Sequence, residues 1–482
     1  MSTTLKNIKI PYPTEGTIRS AQLNDTVAPE NSAQLALNFN FDCVGAITSR
    51  GGVATYATTL SGSVKAFGFL NIQGGIKRLF AQVGTDVSVW NGSTWTSVRT
   101  LTGTGKARFS QFLNRTWMVN GNAGDVPKTS GGSTFDTTNV PATLPKGDFI
   151  QAGFDGRVWI ADKSTDVIYY TDIVQFTPPS TYSLTFDLAV NFIKNFSPQD
   201  GESITGLFRV PRALLLFKEN HIYRIYSATN VDPYPAYNVG TFSQESIVQA
   251  KDGLYFHHSS GFYKFAYDGQ PVEISRRIID FVKAIPRSGY ADVTGVYDGF
   301  DNIEWSVGSV TVEGVTYGSC VMRYSISTQV WTIYDYTGNI ITSMIRYDDG
   351  TTIESLMGTS AGKVGKMNSG TDDFGADIFV DYIDRWRSFT EMYSKSKNIS
   401  GVTVVSQNAG GLKLMYQHKK NTANVWEYID TVNGDYDSLM PNANTEDFAS
   451  IRLRLVGNSK GTPISIHGIE ILSIQDKGFE EN

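Results

Sequence analysis

Short runs of β-branched and aromatic residues, each pair separated by Gly, Asn, Asp or Ser, recur along most of this chain. The pattern reads RLFAQVGTDVSVWNG near Val83, RVWIADKSTDVIYYTD near Ile160 and ALLLFKENHIYRIYS near Phe217. It returns as GLYFHHSSGFYKFAYDG near Phe256, VMRYSISTQVWTIYDYTG near Tyr324 and ESLMGTSAGKVGKMNSG near Met357, with a weaker copy, TWMVNGNAGDVPKTS, near Val119. Two apolar runs around a turn-forming cluster predict an antiparallel hairpin. The units are spaced by about 46 residues on average, the length of one propeller blade. The fold class expected is all-β: a β-propeller of six or seven irregular blades with a C-terminal antiparallel β-sandwich.

Residues 1–40, interrupted by Pro11, Pro13 and Pro29, read as an N-terminal arm. Residues 41–390 read as the propeller, with LNFNFDCVGAITSRGGVATY as the first strands of its body. A stretch near 175–203, carrying Pro178, Pro179 and Pro198, is too long for a blade turn and is expected to project as an insertion. Helical spacing occurs in ISRRIIDFVKAI, where Ile274, Ile278, Ile279, Val282 and Ile285 share a face, Ser275 is a candidate cap and Pro286 a stop. Residues 391–482 change character. Longer, cleanly alternating segments such as IRLRLV, with Ile451, Leu453 and Leu455 on one face and Arg452 and Arg454 on the other, predict a sandwich with one wet face per sheet.

Composition agrees with a folded, strand-rich chain: 482 residues, 40% hydrophobic, 12% aromatic and 46 glycines. No run reaches the roughly 18 apolar residues of a membrane helix, and the opening MSTTLKNIKIPYPTEG has no secretory apolar core. The net charge of −6 argues against a surface built to grip phosphate backbones. Cys43 and Cys320 lie far apart and read as buried thiols.

Candidate chemistry is sparse, and no catalytic, cofactor or metal residue is assigned. His257 and His258 are neighbours on a strand and face opposite ways, while His221, His418 and His467 stand alone. The acidic groups TDDFGAD (Asp372, Asp373, Asp377) and YDDGT (Asp348, Asp349) lack a calcium-loop pattern and read as turns. SVWNGSTW, Ser88–Trp95, is similar to the Asp-box of sialidase propellers, with Trp90 where the Asp would stand; that box is a structural turn. Arg209, Arg212, Arg276, Arg277 and Arg323 do not form a glycosidase signature.

The order of segments resembles the nozzle, or packaged-DNA stabilisation, proteins of short-tailed bacteriophages. The resemblance is carried by NFNFDCVGAITSRGG, SPQDGESITGLFRVPRALLLFKENHIYRIY, DGLYFHHSSGFYKFAYDGQPVEISRRI, NIEWSVGSVTVEGVTYGSCVMRYSISTQVWTIYDY and the closing ISIHGIEILSI. It spans most of residues 35–475 as a match of layout. It implies a virion tail protein without enzymatic activity, made in the host cytoplasm and assembled as a hexameric ring. Such a ring touches portal-adaptor or other tail proteins, tail fibres and, without sequence specificity, the DNA in its lumen. No membrane segment and no cofactor are implied. The alternatives are a fibre-anchoring or receptor-binding tail module, or a propeller glycosidase. Gln175, Phe176, Tyr182, Phe186, Phe192, Lys194 and Asn195, in the expected insertion, are the candidate gate or partner contacts.

Overall fold

A computed structural model describes residues 6–19, 29–43, 45–72, 74–153, 155–177, 181–193, 201–232, 236–267, 269–336, 338–387, 396–418, 425–439, 450–459 and 461–477. Among these residues, seven successive antiparallel sheets follow one another as blades. Blade one is Val64–Asn71, Lys77–Val83, Asp86–Trp90 and Trp95–Thr100. Blade two has three strands, Arg108–Phe112, Arg115–Val119 and Lys128–Ser130; a single bridge from Thr129 to Asp136 occupies the place of a fourth. The weak copy near Val119 is therefore the second strand of a full blade position. Blade three is Phe149–Ala152, Val158–Asp162, Val167–Tyr170 and Phe192–Ile193. Blades four and five run from Ile204 to Val231 and from Val248 to Glu273. Blade six is Thr294–Tyr297, Asn302–Val312, Val315–Ser325 and Trp331–Asp335. Blade seven is Ile341–Asp348, Ile353–Thr359 and Val364–Lys366, and its outer strand, Ala54–Ala57, comes from the beginning of the chain.

Each blade is covered on both faces by its neighbours, so its central strands read as continuous apolar runs. Ala213–Lys218 is buried along its whole length. The core is divided into clusters between adjacent blades. Trp159 and Ile168 of blade three pack with Leu214, Leu216 and Tyr223 of blade four, and Ala57 and Val364 of blade seven pack with Val64 and Ala81 of blade one. This last cluster closes the ring. Gly365 lies in the closing pair of strands, where a Cβ would press on the side chains of Val53 and Phe374. Gly365→Val is expected to cost about 1–3 kcal/mol through overpacking, read as a lower urea midpoint. An unchanged midpoint would show that the seam has slack.

The remaining strands build a sandwich from both ends of the chain. One sheet holds Ile378–Asp384, Ile451–Ser459, Lys413–His418 and Glu427–Thr431; the other centres on Ser465–Lys477, paired with Gly401–Gln407, Ala46–Ser49, Lys6–Lys9 and Ser396–Asn398. Phe39, Ile47, Val380, Val404, Leu414, Leu453 and Leu455 fill the space between. Ile451, Leu453 and Leu455 point inward and Arg452 and Arg454 outward, as their alternation predicts.

Several expected boundaries move. Ala33–Leu37 is a buried strand, not part of an arm. It runs parallel to Trp331–Asp335 through Leu37 and Ile333, and antiparallel to Ile378–Asp384. Blade six and one sandwich sheet thereby become a single nine-stranded sheet. Phe39–Cys43 and Ala46–Ser49, expected as the first propeller strands, pair within the sandwich, and Ile378–Asp384, expected in the propeller, lies in it too. Strand-forming alternation is local, whereas the partner of each strand is settled by contacts hundreds of residues away. The expected helix is a 3-10 turn at Arg276–Ile278 followed by a short α-helix at Ile279–Ala284. Ser275 does not cap it; its hydroxyl accepts the Phe262 N–H instead. Phe281, absent from the expected face, is buried, and Ile279 only partly so.

Candidate functional site

Of the expected insertion, residues 175–177 and 181–191 lie inside blade three, between its third and fourth strands, residues 192 and 193 form the fourth strand itself, and residues 194–200 lie outside the described residues. Gln175–Thr177 and Thr181–Ser183 form a hairpin of their own, pairing Phe176 with Tyr182 and Gln175 with Ser183. Gln175 is exposed, and its side-chain amide donates to the Ile173 carbonyl at 3.2 Å. Phe186 does not project. It packs against the cluster containing Trp117, Ile150 and Ile160 and meets the Tyr169 ring edge-on at 6.3 Å. Phe192 belongs to the outer strand of the blade, paired with Tyr169. Lys194 and Asn195 lie outside the described residues. The apolar surface here comes instead from Ile173, Leu188 and Val190, which are 50%, 55% and 63% exposed. Less of this stretch is free of the blade than the sequence suggests, because Phe186 packs against the blade core and Phe192 pairs into the blade's outer strand.

Several of the residues weighed for chemistry make contacts within the fold. The His257 ring is buried between Phe262 and Tyr290, while His258 sits against Ser260 and Asn220. In the Asp-box-like segment Asn91 accepts the N–H groups of Ser93 and Thr94, and Trp90 packs on Trp95 at 5.4 Å, a tight turn between two strands. Asp348 and Asp349 accept backbone N–H groups of Gly350, Thr351 and Thr352 within their turn. Asp372 does the same for Gly375. Cys320 is buried, and burial pushes its thiol well above the ordinary range, so it is a poor nucleophile. Among the described residues, no three His, Cys, Asp or Glu side chains come together as a metal site requires.

Two charged clusters that sequence reasoning missed hold the molecule together. At the junction of ring and sandwich the fully buried Arg50 donates to both carboxylate oxygens of Asp373, at 2.8 and 2.5 Å, and to Asn38 Oδ1 at 2.8 Å. Its guanidinium lies 3.9 Å from the Tyr336 ring centroid. Asp373 had read as a turn residue. The only local hint was an arginine following an apolar strand in AITSRGG.

The second cluster lies on the propeller axis. First strands of successive blades pack side by side around it, blade seven meeting blade one. The 3-10 turn Gln244–Ser246, which precedes blade five, reaches into this space. Arg108 of blade two meets Glu245 there at 2.9 Å, linking blades on opposite sides of the ring. Arg108 also donates to the Asp148 carbonyl and stacks on Phe149. Lys106 stands 3.7 Å from Glu245. Burial alone would raise the Glu245 pKa, but Arg108 and Lys106 outweigh it and hold it at about 2, so the pair stays charged at any ordinary pH. Beside this pair lies a chamber of about 150 Å³. Above it, sharing Lys106, a cup of about 620 Å³ opens to solvent, with Lys65, Thr104, Ser288, Ser309 and Asp292 in its wall. An ion pair spanning the shaft means that nothing as wide as a nucleic acid passes through a single propeller.

No family model and no curated protein matches the sequence. Among solved structures the chain is similar to streptogramin B lyase, at 15% identity over 66% of this chain and 97% of that one, with a TM-score of 0.43. It is also similar to virginiamycin B lyase from Staphylococcus aureus (14%, 65% and 98%, TM-score 0.43). A third is YCF48 bound to D1 peptide (11%, 68% and 98%, TM-score 0.39). Similarity this distant carries no statement about activity, ligand or partner. No helix among the described residues is long and apolar enough to cross a membrane.

Proposed function

We propose that this chain is a non-catalytic structural subunit of a phage tail, one copy in a ring of identical chains that retains packaged DNA and then lets it out. The observation that carries this reading is the nine-stranded sheet, in which blade six continues through Ala33–Leu37 into the sandwich. A hydrogen-bonded sheet shared by two units fixes their relative angle, which suits a load-bearing part better than a hinged enzyme. The order of sequence segments resembles the tail-nozzle family. The shaft of each propeller is spanned by Arg108 and Glu245, so the DNA path in such a ring runs between copies. A chain of net charge −6 would line that path with little affinity for phosphate, letting DNA slide while loops on the ring axis close it. Identical copies in head-to-tail contact close naturally into a cyclic ring.

The projecting hairpin and the exposed Ile173, Leu188 and Val190 are the proposed contact with a neighbouring copy or tail protein. Replacing residues 175–183 with a short glycine link should leave the far-ultraviolet circular dichroism and melting temperature unchanged. Ring formation or the yield of infectious particles should fall by roughly tenfold or more, as expected for loss of a central contact. A protein that stays monomeric and is located off the tail axis by label imaging would overturn the ring reading. Full infectivity of the deletion would overturn the role of the hairpin alone.

A further inference from the structure

We infer that the solvent-open cup at the axial end of the propeller is a binding site for a small organic anion bearing two or more negative charges, such as a polycarboxylate or a phosphate ester. The cup measures about 620 Å³, inside the range of small-molecule sites and far larger than a single hydrated ion needs. It lies where the connectors into blades one, two, six and seven converge, so its walls are positioned by the ring and not by one loop.

The charge in it is unbalanced. Lys65 and Lys106 line it against the single carboxylate of Asp292; Glu245, set between Lys106 and Arg108, lies in the neighbouring chamber. Glu245 is already committed: one oxygen takes Arg108 at 2.9 Å and the other takes the Ser243 hydroxyl at 3.1 Å. Lys106, at 3.7 Å, is beyond hydrogen-bond range of it and keeps donors for a ligand. Lys65 donates to the Thr104 carbonyl at 3.1 Å, which uses one of its three protons and holds the ammonium at the rim. Thr104, Ser288 and Ser309 line the same space and carry hydroxyls that can serve as further donors. Asp292, exposed on the far rim, is the one group in the wall that repels an anion. Two ammonium groups with flanking hydroxyls suit separated anionic oxygens; the surplus volume suits the carbon skeleton that joins them.

The site does not depend on ring assembly and is tested on the purified full chain. Isothermal titration with citrate and with inorganic phosphate, at constant ionic strength and with acetate as the monovalent control, should give saturable binding for citrate and weak or no binding for acetate. Lys65→Ala and Lys106→Ala should each weaken citrate by roughly tenfold, the worth of a charge-assisted hydrogen bond. Asp292→Asn should tighten it by about two- to fivefold by removing a like charge at the rim. Melting curves without ligand check that each variant folds. Absence of saturable citrate binding, indifference to both lysine changes, or weaker binding in Asp292→Asn would each overturn the assignment; the last would point to a cationic or zwitterionic occupant.

Discussion

Replacing Arg50 with methionine should destabilise the chain by about 3–5 kcal/mol, the cost of stranding a buried charge. Arg50 is inaccessible to solvent, and its partner Asp373 is nearly so. Its five donors reach Asp373, the side chain of Asn38, and the carbonyls of Gly51 and Asp335, the last two at 3.0 and 3.4 Å. These partners belong to the strand crossing from ring to sandwich, the end of blade six and the segment after blade seven. The Asn38 side chain reinforces the same junction, donating to the Asp335 and Phe379 carbonyls and accepting the Asp335 N–H. Methionine fills similar space but leaves the Asp373 carboxylate buried and unpaired, which is where most of the loss arises. Removing both charges, as Arg50→Met with Asp373→Leu, should recover much of the stability, because a buried pair and a well-packed apolar pair are often close in free energy. Guanidinium denaturation of the wild type, the single and the double variant decides this. A single-variant loss below about 1 kcal/mol would place the clamp among ordinary surface-like ion pairs.

Acid should weaken the fold through His257. Its ring is wholly buried and neither nitrogen has a hydrogen-bond partner. Burial first, and the adjacent His258 second, depress its pKa from 6.5 to about 3. A histidine depressed in the native state is protonated more readily in the unfolded chain. Stability is therefore full above about pH 6.5 and falls as pH drops towards 3, by about 1.4 kcal/mol per unit. At pH 4.5 the loss amounts to about 3 kcal/mol. Glu304, Asp381 and Asp384 act in the opposite sense, since burial raises their pKa and the native state holds their protons longer. The contribution of His257 is isolated by comparison with His257→Phe, which keeps a flat ring between Phe262 and Tyr290 and has no proton to take up. Stability curves of the two proteins should diverge by about 3 kcal/mol between pH 7 and pH 4.5. Parallel curves would mean that the native ring accepts the proton.

Much of the propeller is legible residue by residue. RLFAQVGTDVSVW becomes Lys77–Val83 and Asp86–Trp90 around a turn, because β-branched and aromatic runs broken by Gly, Thr and Asp have few other low-energy conformations. The outward arginines of IRLRLV follow from the strand period alone. The candidate loop was legible only in part: its length marked an insertion, but Phe186 and Phe192 look the same in sequence whether they project or pack.

By itself, then, the sequence determined the strands, their turns, the absence of long helices and the alternating faces of the sandwich. These are consequences of local backbone preference and side-chain period. Only the tertiary structure decided that Ala54–Ala57 closes the last blade, that Ala33–Leu37 welds ring to sandwich, and which charges meet. Arg50 and Asp373 are separated by 323 residues and Arg108 and Glu245 by 137. A charge in a turn is solvated by default, and it becomes a clamp only when distant strands, brought together by apolar burial, take the water away from both partners at once.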